Sequence, residues 1–128
     1  MGGNGAKPIR VLVVEDDPDL GHLIALTLRK HDMQVVRARD GIAALEEARR
    51  LEPHVAIVDL GLPHLGGHAL GRRLHEMQHD SGLPHLIAVT GDASAAAEEA
   101  SRASGFTAHL VKPAKPNELV GMVRDLVG

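Results

Sequence analysis

Several apolar runs in this chain stop on a side chain that can do chemistry. Ile9–Val14 runs into Glu15-Asp16-Asp17, and Val55–Val58 runs into Asp59. Leu86–Val89 stops at Thr90, and Thr107–Val111 stops at Lys112. If the fold brings these ends together, Glu15, Asp16 and Asp59 repel one another, and a hard divalent cation with oxygen ligands relieves the repulsion. Magnesium is the expected ion, because it keeps several waters and shares its shell with phosphoryl oxygens. Lys112 adds a fixed positive charge and Thr90 a hydroxyl donor, groups suited to stabilising a phosphoryl group in transfer. A carboxylate that accepts such a group becomes an acyl phosphate, and Asp59 holds the middle position.

That chemistry requires elements that carry all four ends to one edge. Each apolar run is too short for a helix and is followed by an amphipathic segment. Asp17-Pro18 reads as a helix cap with proline in the first turn, and Leu20, Leu23, Ile24, Thr27 and Leu28 follow as one inner face. Gln34–Ala38 reads as a second strand, and Asp40 caps a helix with Ala44, Leu45, Ala48 and Leu51 inward, blocked by Pro53. A Gly61-Leu62-Pro63 turn and a Gly66-Gly67 loop lead to a helix marked by Leu70, Leu74 and Met77. Ser94–Ser104 is an alanine-rich helix stopped by Gly105, with few large side chains and hence weak packing expected. Pro116 opens a last helix with Leu119, Met122, Val123 and Leu126 on one side.

Strands this apolar, each followed by a helix, imply an α/β fold: a five-stranded parallel sheet, doubly wound, with helices on both faces. Of the two familiar strand orders, five strands favour the flavodoxin-like 2-1-3-4-5. The ligand crevice then lies at the carboxyl ends of strands one and three, where the winding reverses.

Composition narrows the function classes. With 128 residues, 44% hydrophobic and 24% charged, the chain suits one globular domain. A net charge of −3 and a single aromatic, Phe106, argue against nucleic-acid binding. The absence of cysteine excludes a disulfide framework and a thiol nucleophile, and fits a cytoplasmic protein. No apolar run approaches the ~20 residues that span a bilayer, so no membrane insertion is expected. Residues 1–8 read as a flexible leader and 9–127 as the domain.

Val11-Leu12-Val13-Val14-Glu15-Asp16-Asp17, Val58-Asp59-Leu60-Gly61-Leu62-Pro63, Ala88-Val89-Thr90-Gly91 and Leu110-Val111-Lys112-Pro113 together resemble, in order and spacing, the motifs of the response-regulator receiver domains of two-component signalling. The resemblance covers roughly residues 9 to 127. It implies that Asp59 is the phosphoacceptor and a Mg2+ ligand, that Asp16 is a direct ligand, and that Glu15 acts mainly through water. It makes the Gly61 carbonyl a further ligand, Thr90 the switch hydroxyl and Lys112 the phosphate-binding lysine, with a cis bond before Pro113. The implied partner is a sensor or hybrid histidine kinase, or a histidine phosphotransfer domain. The implied role is a phosphorelay switch, a monomer or weak dimer, rather than an enzyme with a separate substrate. His109 stands where many members carry Tyr or Phe, and the 105–113 stretch is similar to receivers attached to hybrid kinases.

Competing readings differ at named positions. A haloacid-dehalogenase-type phosphatase, also Mg-dependent with an aspartyl phosphate, needs a second Asp two residues after the nucleophile, and Gly61 is there. A flavin binder needs a phosphate loop after strand one, which Glu15-Asp16-Asp17-Pro18-Asp19 would repel. A degenerate receiver acting as a scaffold would not need Asp59, Thr90 and Lys112 intact. His64/His68 and His75/His79 have a chelating spacing on a helix, but solvated surface is the default reading, and His109 reads as a half-buried switch or packing residue.

Overall fold

The computed structural model describes residues 7–78 and 81–128. Most of the expected leader and His79 lie outside the described residues. The elements are β1 (Arg10–Val14), α1 (Pro18–Lys30), β2 (Gln34–Ala38), α2 (Gly41–Leu51), β3 (Val55–Asp59), α3 (Gly67–Glu76), β4 (His85–Thr90), α4 (Ala95–Ala103), β5 (Ala108–Val111) and α5 (Pro116–Val127). All strand pairs are parallel, in the order β2-β1-β3-β4-β5.

The alternation of side chains along each strand divides the core in two. Val11, Val13, Val55, Ile57, Ile87 and Val89 pack with Ile24, Leu28, Leu119 and Val123 under α1 and α5. Leu12, Val14, Ala56, Val58, Leu86 and Ala88 pack with Ala44, Ala48, Leu70 and Leu74 under α2 and α3. Strands β1, β3 and β4 are covered on both faces, which is why their sequences read as unbroken apolar runs. Truncating one of their fully buried leucines, such as Leu12, to alanine costs about 2–5 kcal/mol.

Local chemistry sets the element ends as expected. The Asp17 side chain accepts from the N–H groups of Asp19 and Leu20 at the start of α1, and Asp40 accepts from Ala43 at the start of α2. Lys112–Pro113 is cis, as the resemblance implied, and so is Leu83–Pro84. The inner faces needed correction. Leu23 is 48% exposed, and the buried positions of α1 are Gly21, Ile24, Ala25 and Leu28. On α5, Val120 is buried while Met122 and Leu126 are only partly covered. Gly71 is obligatory for a different reason: a Cβ there would overlap the ring of Phe106, the one aromatic residue of the chain.

Candidate functional site

The sheet register brings the four run ends to one edge. Val14 pairs with Val58, Asp59 with Val89, and Thr90 with Val111. Glu15, Asp16, Asp59, Thr90 and Lys112 therefore converge at the carboxyl ends of β1, β3, β4 and β5, across the point where the winding reverses.

Each Asp59 carboxylate oxygen has its own partner. Oδ1 accepts from the Gly61 N–H at 2.9 Å, and Oδ2 lies 3.1 Å from Lys112 Nζ. Asp59 is only 5% exposed, so this charge is held inside the protein. Glu15 is equally buried and accepts from the Asp17 N–H at 3.1 Å. Asp16 is exposed. One carboxylate oxygen from each of Glu15, Asp16 and Asp59 falls within 4.8 Å of the others. The set is oxygen only, with an exposed member on its solvent side, and fits a hard cation that keeps water.

Electrostatics record the crowding. Burial drives the Glu15 carboxyl up to about 7; the Asp17 N–H opposes this, Asp59 adds to it, and Lys112 offsets part of it. Lys112 is raised as well. Its partial burial works the other way, but the Asp59 hydrogen bond and the charges of Asp59, Glu15 and Asp16 outweigh it.

Thr90 is buried, and its Oγ1 accepts from the Asp92 N–H at 3.1 Å, which leaves the hydroxyl hydrogen free to donate. His109 is half-buried on β5, with Nδ1 3.1 Å from Ser101 Oγ of α4. The expected residues are thus brought together, with His109 one step outward. Asp92 and Ser101 were not anticipated. Asp92-Ala93-Ser94 ahead of an alanine-rich run is a capping signal that would have found the first. Of the histidine pairs, His75/His79 reaches outside the described residues; in the other, His64 is exposed and His68 Nδ1 lies 3.0 Å from Ser104 Oγ, and among the described residues the acidic cluster is the one group of three possible ligands.

With acids, hydroxyl and lysine gathered on one edge of this fold, comparison with known proteins points to a class of signalling domains. Residues 11–124 match the family described as the response regulator receiver domain. The chain is 35% identical over 115 residues to the DNA-binding response regulator MtrA of Mycolicibacterium smegmatis, covering 90% of this chain and 49% of that protein. The BeF3-activated N-terminal receiver domain of Klebsiella pneumoniae RstA superposes with a TM-score of 0.82 at 30% identity, covering 92% of this chain and 97% of that one. A chain in the co-crystal structure of Saccharomyces cerevisiae Ypd1, a histidine phosphotransfer signalling protein, with the receiver domain of Ssk1 shares the fold (TM-score 0.84, 24% identity, 93% and 88% covered).

The chain belongs to the response regulator receiver family of two-component signalling. It spans about half the length of the MtrA regulator it matches. No helix among the described residues is long and apolar enough to cross a membrane.

Proposed function

We propose that Asp59 is a phosphoacceptor, that residues 9–127 form the unit serving it, and that the donor is a phosphohistidine. The donor would be carried by a sensor or hybrid histidine kinase or by a phosphotransfer domain such as the one in the Ypd1–Ssk1 pair. The observation carrying this reading is the Lys112–Asp59 contact at 3.1 Å inside the acidic cluster.

In the step itself, an Asp59 oxygen forms a bond to phosphorus while the P–N bond to the donor imidazole breaks, and the electron pair leaves with the nitrogen. Lys112 neutralises charge on the phosphoryl oxygens, and the Thr90 hydroxyl donates to one of them. Glu15, Asp16, Asp59 and the Gly61 carbonyl would hold Mg2+, with Asp16 a direct ligand and Glu15 acting mainly through water. The ion would supply positive charge for the carboxylates and the incoming phosphoryl group. Water attack on phosphorus later regenerates the carboxylate and releases phosphate.

The output is a change of surface. Movement of Thr90 toward the phosphoryl group would shift His109, and α4, β5 and α5 would present the altered face to a partner. We assign the chain to the cytoplasm, as a monomer or weak dimer, with no separate small-molecule substrate.

Incubation with acetyl phosphate or a partner kinase and Mg2+ is expected to add one hydroxylamine-sensitive phosphoryl group, absent in Asp59→Ala. Persistent labelling of that variant would overturn the assignment.

A further inference from the structure

Four of the five helices are held by apolar side chains, and α4 is not. Ile24 and Leu28 anchor α1, Ala44 and Ala48 anchor α2, Leu70 and Leu74 anchor α3, and Leu119 and Val123 anchor α5. No residue of Ala95–Ala103 belongs to either apolar cluster. The buried side chain of α4 is Ser101, 0% exposed, followed by its cap Ser104 at 4%. Two serines bring almost no apolar surface, so the attachment must be polar.

Both hydroxyls are used twice. Ser101 Oγ lies 2.9 Å from the Glu98 carbonyl and 3.1 Å from His109 Nδ1. Ser104 Oγ lies 3.1 Å from the Ala100 carbonyl and 3.0 Å from His68 Nδ1. A hydroxyl has one hydrogen, and a carbonyl can only accept it. Each serine therefore donates to its own helix and accepts from the ring, which fixes the imidazole hydrogen on Nδ1. His109 reaches in from β5 and His68 from α3, so α4 is pinned to two different elements, both at its carboxyl end: Ser101 in the last turn and Ser104 at the cap.

A third connection enters at the helix start. Thr90 Oγ1 accepts from the Asp92 N–H, Asp92 Oδ1 accepts from the Ser94 N–H at 2.9 Å, and Ser94 Oγ accepts from the Ala97 N–H at 3.1 Å. This series runs without a gap from the site hydroxyl into the first turn of α4.

We infer that α4 is a latched element, held in the unmodified protein by the His68–Ser104 and His109–Ser101 hydrogen bonds, with His68 as the latch residue on the α3 side. Its regulatory meaning rests on the phosphoacceptor reading: a phosphoryl oxygen that draws the Thr90 hydroxyl also moves the acceptor of the Asp92 N–H. The strain then passes into a helix that two side-chain hydrogen bonds hold in place.

The test is amide hydrogen exchange on the metal-free protein, comparing wild type with His68→Ala, His68→Asn, Ser104→Ala and the His68→Ala/Ser104→Ala pair. Amides of residues 98–104 should exchange about tenfold faster in each alanine variant, with those of α1 and α5 unchanged. The pair should be no faster than the faster single variant, because both changes remove the same bond. His68→Asn, which keeps a donor near the Nδ1 position, should retain most of the protection. Unchanged α4 exchange, acceleration spread evenly over the sheet, or asparagine behaving like alanine would each overturn the latch. Beryllofluoride with Mg2+ should accelerate α4 exchange in wild type. If it does not while the His68→Ala effect stands, the latch is supported and its coupling to the phosphoacceptor site is overturned; failure of the phosphoacceptor reading itself would show as persistent labelling of Asp59→Ala.

Discussion

The two edges of this sheet both gather ionisable groups, and they treat them in opposite ways. At the carboxyl edge Glu15, Asp16 and Asp59 crowd together, with Lys112 as the cation in contact. At the amino edge Arg10 sits on β1 beside His54 and His85. There the Arg10 guanidinium donates to the carbonyls of Leu51 and Glu52, at 2.7 to 3.0 Å, and its backbone N–H donates to His54 Nδ1 at 2.9 Å. Those carbonyls are the unpaired end of α2, so a cation is what that end requires. Charge at the amino edge is satisfied by the fold itself. Charge at the carboxyl edge is three carboxylates against one lysine in contact with Asp59, and that contrast supports the proposed phosphoacceptor edge more than any one motif does.

The largest expected effect that would break this contrast is at Lys112. Lys112→Met should slow phosphoryl uptake by about a hundredfold. It should also tighten Mg2+ binding, because a competing cation has gone from beside Asp59. A fall in both quantities would mean that Lys112 acts by holding the site's shape rather than by its charge. Next in size is Asp16→Ala, which should weaken Mg2+ binding about tenfold or more, by a larger factor than Glu15→Ala. Chemical-shift titration with Mg2+ would read this, with changes centred on residues 15–17 and 59–61. Shifts centred on His64, His68 or His75 would contradict it.

The two edges should also respond to pH with opposite signs. Glu15 has a folded value of about 7 against an ordinary 4.5, so the folded metal-free protein binds this proton more tightly than the unfolded chain. Its contribution is present in full below about 4.5 and is lost as pH rises through 7. His54 is lowered from 6.5 by burial, then by the charges of Arg10 and His85. Its contribution is present above 6.5 and is lost as pH falls through the lowered folded value. Urea unfolding of Glu15→Gln and His54→Asn across this range separates the two, since each variant should flatten one side of the profile. Mg2+ binding should weaken as pH falls below 7, where the ion competes with the Glu15 proton. The smallest effect is at the quiet edge. Arg10→Met should destabilise the protein by about 1–2 kcal/mol and leave Mg2+ affinity unchanged.

The carboxyl edge was legible in the sequence because its logic is local and repeated. Apolar runs that stop on Glu15, Asp59, Thr90 and Lys112 fix both the strand ends and the edge, and Asp17 and Asp40 announce their helices by short-range caps. The inner faces were less legible. Leu23 fits a helical stripe as well as Ala25 does, and only the approach of β2 and α5 decides that Ala25 is covered while Leu23 is 48% exposed. The anchoring of α4 was the least legible. Its alanine content showed that packing would be weak, but the His68–Ser104 bond joins residues 36 apart and leaves no periodic trace. The Arg10 clasp on α2 spans 41 and 42 residues and is invisible for the same reason.

A phosphoryl group carried on Asp59 at the carboxyl edge can be detected by direct chemistry. Borohydride reduces an aspartyl phosphate to homoserine, so phosphorylated protein can be reduced, digested and sequenced by tandem mass spectrometry. Homoserine is expected at position 59 and nowhere else, dependent on Mg2+ and on prior exposure to the phosphodonor. Homoserine at Asp16 or Asp17, or label retained on a histidine with position 59 unreduced, would contradict it.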